Sequence, residues 1–161
     1  MVGTAKGDDV IAYAHYFVDE AVSRGILTIG IGDGGNEIGF GRIHARVKEF
    51  HPTGRKCRCP CGAGVVTVTS TDILVVAAIS NWGAYGLAAV LGMLTGRQES
   101  LVDEDTHWRV LDAVVRAGAL DGVHVQPIVA EDGVPARTGQ ALIRMLHQMI
   151  YNGSREVKRG F

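Results

Sequence analysis

Twice along this chain a short apolar run stops at a polar, glycine-bearing loop with a helix-forming stretch close behind it, and no other feature narrows the fold as far. Residues 26–31 (Ile-Leu-Thr-Ile-Gly-Ile) read as a buried strand that feeds Gly32-Asp33-Gly34-Gly35. Residues 73–79 read as a second strand, or a buried helix turn, that runs into Ser80-Asn81-Trp82-Gly83, and residues 84–94 are rich in helix formers. A helix is expected before the first strand, over residues 9–24. There Val10, Ala14, Phe17, Val18 and Ala21 recur at helical spacing, Asp8 or Asp9 is placed to cap, and Gly25 is placed to end it. Strands that alternate with helices imply an α/β fold, a mainly parallel sheet flanked by helices.

The remaining pattern fits that class. Residues 41–64 are basic and irregular, with Pro52, Gly54, Pro60 and Gly62, and are expected to be surface loop around one weak element near residues 43–50. Residues 65–69 resume a β-rich run, residues 103–117 form a helix closed by Gly118, and residues 123–129 read as a further strand. The last helix is the clearest, because Leu142, Met145, Leu146, Met149 and Ile150 share one face. With 161 residues, no internal repeat and no long linker, one domain is expected over residues 1–161.

Charge excludes two classes of partner. Sixteen basic and seventeen acidic residues leave a formal charge of -1, so there is no basic field for a nucleic acid and no polybasic face for a membrane. No apolar run approaches the length of a bilayer-spanning helix, and the start of the chain has no apolar signal region, so a soluble, cytoplasmic protein is expected. Three cysteines within Cys57-Arg58-Cys59-Pro60-Cys61 suit a reducing compartment rather than a disulfide framework. Their spacing lacks the loop of a structural zinc site, which leaves an incidental thiol cluster as the simpler reading. His15, His44, His107, His124 and His147 form no recognisable catalytic pattern.

Chemistry concentrates in the first loop. Residues 30–35 satisfy GxGxxG after a strand, but Asp33 and Glu37 would bring negative charge where a dinucleotide needs bare amides, and Gly39 and Gly41 interrupt the helix that should follow. Asp33, Asn36 and Glu37 lie at i, i+3 and i+4, so a helical turn starting in the loop would set three oxygens on one side. That all-oxygen set suits a hard divalent cation, Mn²⁺ or Mg²⁺. In the plainer alternative Asp33 caps a helix, Glu37 is a first-turn acid, and the glycines only make the turn.

Residues 28–41 resemble the hallmark of D-glutamate cyclase-like domains, with Phe40 a mild departure. The resemblance continues through residues 71–86, residues 118–123 and Asp132-Gly133. It implies an α/β domain, of which this chain is the C-terminal half, that closes the side-chain carboxyl and amine of D-glutamate into 5-oxo-D-proline with loss of water. It implies Mn²⁺ or Mg²⁺ held by Asp33, Asn36 and Glu37, with Gly32, Gly34, Gly35, Trp82 and Gly83 lining the site. Ser80, Asn81 and Asp121 join the candidate catalytic residues. Its partners are then a small molecule, D-glutamate or similar, and a second copy or an N-terminal half that completes the site. From the residues alone, Ser80-Asn81 is a helix N-cap, Trp82 a core aromatic, and Asp121-Gly122 and Asp132-Gly133 are turns.

Two other functions are compatible with the chain. Gly-Asp-Gly-x-Asn-Glu also resembles a metal-binding block of haloacid-dehalogenase-type phosphatases, but the only Asp-x-Asp, at residues 103–105, follows the loop and starts a helix. A truncated, non-catalytic domain would instead expose apolar surface where its other half should pack.

Overall fold

The computed structural model describes residues 13–58 and 60–153. The expected caps at Asp8 and Asp9, and Cys59, lie outside the described residues. The chain divides into two compact units, residues 1–80 and 81–161.

In the first unit the expected first helix is α1, His15–Ser23, which buries none of its residues. Strand β1, Ile29–Gly32, pairs in parallel with β2, Ile73–Val76, with Ile29 opposite Ile73 and Gly32 opposite Val76. A polar clip holds the start of this pair. The amide and hydroxyl of Thr28 both donate to Asp72 Oδ2 at 2.8 Å, and the Asp72 amide donates to Thr28 Oγ1 at 3.0 Å. These bonds favour the carboxylate, the Thr28 amide most of all, and hold the Asp72 pKa below its usual range.

The glycines of residues 30–41 let the loop fold back on its own strand. A Cβ on Gly30 would stand 2.5 Å from the Ile38 carbonyl oxygen and 2.6 Å from Gly39 Cα, and Gly39 itself has φ +112°. The returning chain is held by residues 65–70. Gly39 and Gly41 donate to the Thr69 carbonyl, Thr67 donates to that of Gly35, and His44 Nδ1 lies 2.8 Å from the Thr67 carbonyl oxygen. The β-rich run over residues 65–69 is therefore not a strand, because its hydrogen bonds go to the glycine loop instead of a ladder. A 3-10 turn, Gly41–Ile43, leads into α2, His44–Phe50, where the weak element was expected.

In the second unit α3, Ser80–Thr95, begins one residue before the boundary, α4 is Glu104–Arg116, and α5 is Ala136–Gly153. Asp103 caps α4 by accepting the Thr106 amide at 2.6 Å. Ala89, Leu101, Ile143 and Ile150 form the core of this unit, with Tyr85, Ala88 and Leu146 packed against it. Ile143 and Ile150 are fully buried, each worth about 1.5–3 kcal/mol relative to exposure. The strand expected over residues 123–129 is absent: Val125 is left-handed at φ +56°, and Pro127 removes a donor. In its place a two-residue hairpin, β3 Ala130–Glu131 and β4 Val134–Pro135, turns at Asp132-Gly133. The expectation of a mainly parallel sheet therefore reduces to mixed α/β structure, one parallel and one antiparallel pair among the described residues. None of the described helices is long and apolar enough to cross a membrane.

Candidate active site

The loop after β1 is not the helical turn expected of it. Gly35 has φ +94°, outside the helical region, and residues 33–35 and 37 form bends. Glu37 folds back over the loop, its Oε1 accepting the Gly34 amide at 3.1 Å and its Oε2 the Gly35 amide at 2.9 Å. Asp33 faces the end of β2. Its Oδ2 accepts the Ser80 amide at 2.7 Å and the Ser80 hydroxyl at 2.5 Å. Ser80 thus orients Asp33 instead of capping α3 with its own side chain.

These contacts join Glu37 to Gly34 and Gly35, and Asp33 to Ser80. A Cβ on Gly34 would lie 2.9 Å from Asn36 Oδ1 and 3.4 Å from Glu37 Oε1, so two side-chain oxygens converge over a position that must stay bare. Gly32 lies beneath the same side chain, where a Cβ would stand 2.9 Å from Glu37 Oε2.

Beside the loop is a cleft of about 480 Å³. Asp33, Gly34 and Gly35 line one part of it, Phe40, Ile43, Val47, Phe50 and Pro52 give it apolar walls, and Arg46 and His51 add a cation and an imidazole. None of those α2 residues was singled out from the sequence. Helical spacing sets Arg46 and Phe50 on one side of α2, but a seven-residue element in a basic stretch carries no signal of what it faces.

The other candidate residues belong to a different centre, inside the second unit. Trp82 Nε1 donates to Glu131 Oε2 at 3.3 Å, and the Tyr85 hydroxyl donates to Glu131 Oε1 in a short hydrogen bond. His107 Nε2 stands 3.3 Å from Glu131 Oε1, an ion-pair distance without hydrogen-bond alignment. Glu131 and His107 are both buried. Burial first, and then Glu131, pushes the Tyr85 phenol well above its ordinary pKa, and Asn81 opposes this with a hydrogen bond. Asn81 and Trp82 therefore serve this buried cluster, with Gly83 buried beside them on α3. Glu131, Tyr85 and His107 were not legible, because partners 22 to 49 residues apart have no spacing rule.

Asp121 is a loop pin. Its Oδ1 accepts the Val123 and His124 amides at 3.2 and 2.7 Å and meets His124 Nδ1 at 2.8 Å, while Oδ2 accepts the Gly133 amide at 2.8 Å. These donors, the His124 amide foremost, pull its pKa from 3.8 to about 2. A second depression, about 590 Å³, is lined by Asp103, Asp105, Trp108, Arg109 and Gln140. Asp103 is occupied there with capping α4, so the only Asp-x-Asp begins a helix, as its sequence position suggests.

The description "D-glutamate cyclase-like, C-terminal" matches residues 4–147, nearly the whole chain. This chain belongs to the D-glutamate cyclase-like C-terminal family. A human relative, "D-glutamate cyclase, mitochondrial" from Homo sapiens, is 39% identical over 70 residues, which are 44% of this chain and 10% of that protein. The chain therefore spans about a tenth of the length of this curated relative. At residues 32–37 acid oxygens and backbone amides lie beside an open cleft.

Proposed function

We propose that this chain carries the reacting end of an enzyme that cyclises D-glutamate to 5-oxo-D-proline with loss of water, and that the reaction takes place at the glycine loop. The observation that carries this reading is the convergence of Asn36 Oδ1 and Glu37 Oε1 over Gly34, a residue that lines the cleft together with Asp33. Family membership and the similarity to the human D-glutamate cyclase support D-glutamate as the substrate.

The donor set fits a hard divalent cation. A carboxylate oxygen has two lone-pair sites, so Glu37 can accept the Gly34 and Gly35 amides and still ligate. Among the described residues no three His, Cys, Asp or Glu side chains form a ready metal group, so Asn36 is needed to complete the set. Mn²⁺ or Mg²⁺ held by Asp33, Asn36 and Glu37 would supply positive charge that draws electron density from a substrate carboxyl oxygen.

The chain's own residues prepare that position. Ser80 fixes the direction of Asp33 through two bonds to one oxygen, and the Gly34 and Gly35 amides fix Glu37. Phe40, Ile43 and Val47 exclude water from one wall, which strengthens electrostatic contacts inside the cleft. In the reaction the substrate nitrogen bonds to the side-chain carboxyl carbon, a carbon–oxygen bond breaks, and two of the three ammonium hydrogens leave on that oxygen as water. No net proton is taken up or released. Charge on the carboxylate is the main barrier to attack, so stabilisation at oxygen is the task the site must perform.

Incubation of the protein with D-glutamate and Mn²⁺ tests the reading. Loss of primary amine with appearance of 5-oxoproline is expected, and no loss of amine over hours at micromolar protein overturns it.

A further inference from the structure

The cleft beside the glycine loop has a second charged end. Of its ten lining residues, Arg46 is the fixed cation, carried on α2 with its guanidinium carbon 5.6 Å from the Phe50 ring centre. That stacking holds the planar group against an apolar surface and leaves its edge, with the N–H donors, for other partners. One donor, on Nη1, meets Glu49 Oε2 at 3.1 Å, and both side chains are largely exposed. The guanidinium is thus already turned to a carboxylate, in a pair weak enough for a ligand to compete with.

His51 adds a directed donor. Its Nδ1 accepts the Thr53 amide at 3.1 Å, which assigns the ring proton to Nε2 and leaves an N–H at the far side of the ring. Between these groups and the glycine loop the walls are aliphatic and aromatic: Ile43, Val47, Phe50 and Pro52. With a divalent cation held at the loop both polar ends are positive and the middle is apolar, which matches a short aliphatic chain with a carboxylate at each terminus.

We propose that Arg46, aided by His51, binds the second carboxylate of the substrate, so that the cleft prefers a dicarboxylate to a monocarboxylate. This rests on the reading of the glycine loop as the reacting end. The carboxyl that loses oxygen sits at the loop, and the carboxylate that survives into the product sits at Arg46. Arg46 is a specificity-determining residue with no part in bond making. A monocarboxylate of the same chain length leaves either Arg46 or the loop without its partner.

Binding of glutarate and of valerate, equal in chain length, measured by calorimetry on the intact protein with Mn²⁺ present, needs no turnover and so separates this proposal from the proposed reaction. The wild type is expected to prefer glutarate by about ten-fold or more, the scale of one charge-assisted hydrogen-bond pair. Arg46→Gln is expected to bring the two ligands within about two-fold, Arg46→Lys to fall between, because it keeps the charge and loses the fork. Glu49→Gln, which removes the competing carboxylate, is expected to tighten glutarate, a response that a purely structural Arg46 would not give. With D-glutamate as substrate, Arg46→Gln raises KM and leaves kcat nearly unchanged. Equal affinity of wild type and Arg46→Gln for glutarate, or no preference for glutarate in the wild type, overturns the proposal. Arg46-dependent glutarate binding without any D-glutamate turnover keeps it and rejects the cyclisation alone.

Discussion

The carboxylates of this chain have distinct tasks, and single substitutions should tell them apart. Asp121 has its pKa lowered from 3.8 to about 2 by the amides of His124 and Gly133. A depressed acid contributes stability that is fully present above pH 4 and is lost as pH falls through about 2. The thermal midpoint of the wild type should therefore exceed that of Asp121→Asn at neutral pH, with the gap closing between about pH 4 and pH 2; a gap independent of pH would contradict the pin. At the glycine loop, Asp33→Asn keeps an oxygen for the Ser80 amide and should fold with little loss, whereas Glu37→Gln sets an NH₂ against one of two amide donors. Urea denaturation should show Glu37→Gln less stable by about 1 kcal/mol, and neither variant should gain the Mn²⁺-dependent rise in midpoint expected of the wild type. A full metal-induced rise in both would return the loop to a purely structural turn. The residue types at this loop were legible as acid oxygens among glycines. Their geometry was not, because Glu37 turns back onto amides that a helical turn would have sent elsewhere.

At the level of elements, long periodic segments were readable and short exchanged ones were not. Helix α5 lies where its pattern put it and buries Ile150, but Met145 and Met149 of the expected face are exposed and Ile143, off that face, is fully buried; α4 followed from its Gly118 stop. Residues 65–69 have strand composition but spend their hydrogen bonds on Gly35, Gly39 and Gly41, and residues 123–129 are bent around Asp121, so both strand expectations failed on tertiary partners. Helix α5 offers a test of the buried cluster. A Cβ on Gly139 would stand 2.4 Å from Glu131 Oε2 and 3.0 Å from His107 Nε2. Alanine in a helix interior normally gains about 1 kcal/mol over glycine, but overpacking costs about 1–3 kcal/mol. Because Glu131 is held by Trp82 and Tyr85 and cannot swing away, Gly139→Ala should lower the urea midpoint while helix content by circular dichroism stays constant. A raised midpoint would show that the cluster yields.

For the molecule as a whole, the parallel pair β1–β2 is short and its apolar side chains face solvent: Ile29 is 37%, Ile73 44% and Val76 58% exposed. Parallel strands are ordinarily covered on both faces, and a two-stranded pair is marginal by itself. With Phe17 and Val22 of α1 also exposed, a protein of these 161 residues should bind an apolar dye and associate as its concentration rises. A dye-free monomer in sedimentation would contradict this, and with it the expectation that a second copy or an N-terminal half completes the site. Alternation of strands and helices was legible at this scale, but the number of strands was not, since only residues 26–31 and 73–79 carry long apolar runs. The central claim is that the substrate meets the glycine loop and its cleft. Amide chemical shifts of the ¹⁵N-labelled protein titrated with D-glutamate test it most directly: the account predicts the largest changes at Gly34, Gly35, Arg46 and His51, and changes confined to the depression at Trp108 and Arg109, or none at all, would contradict it.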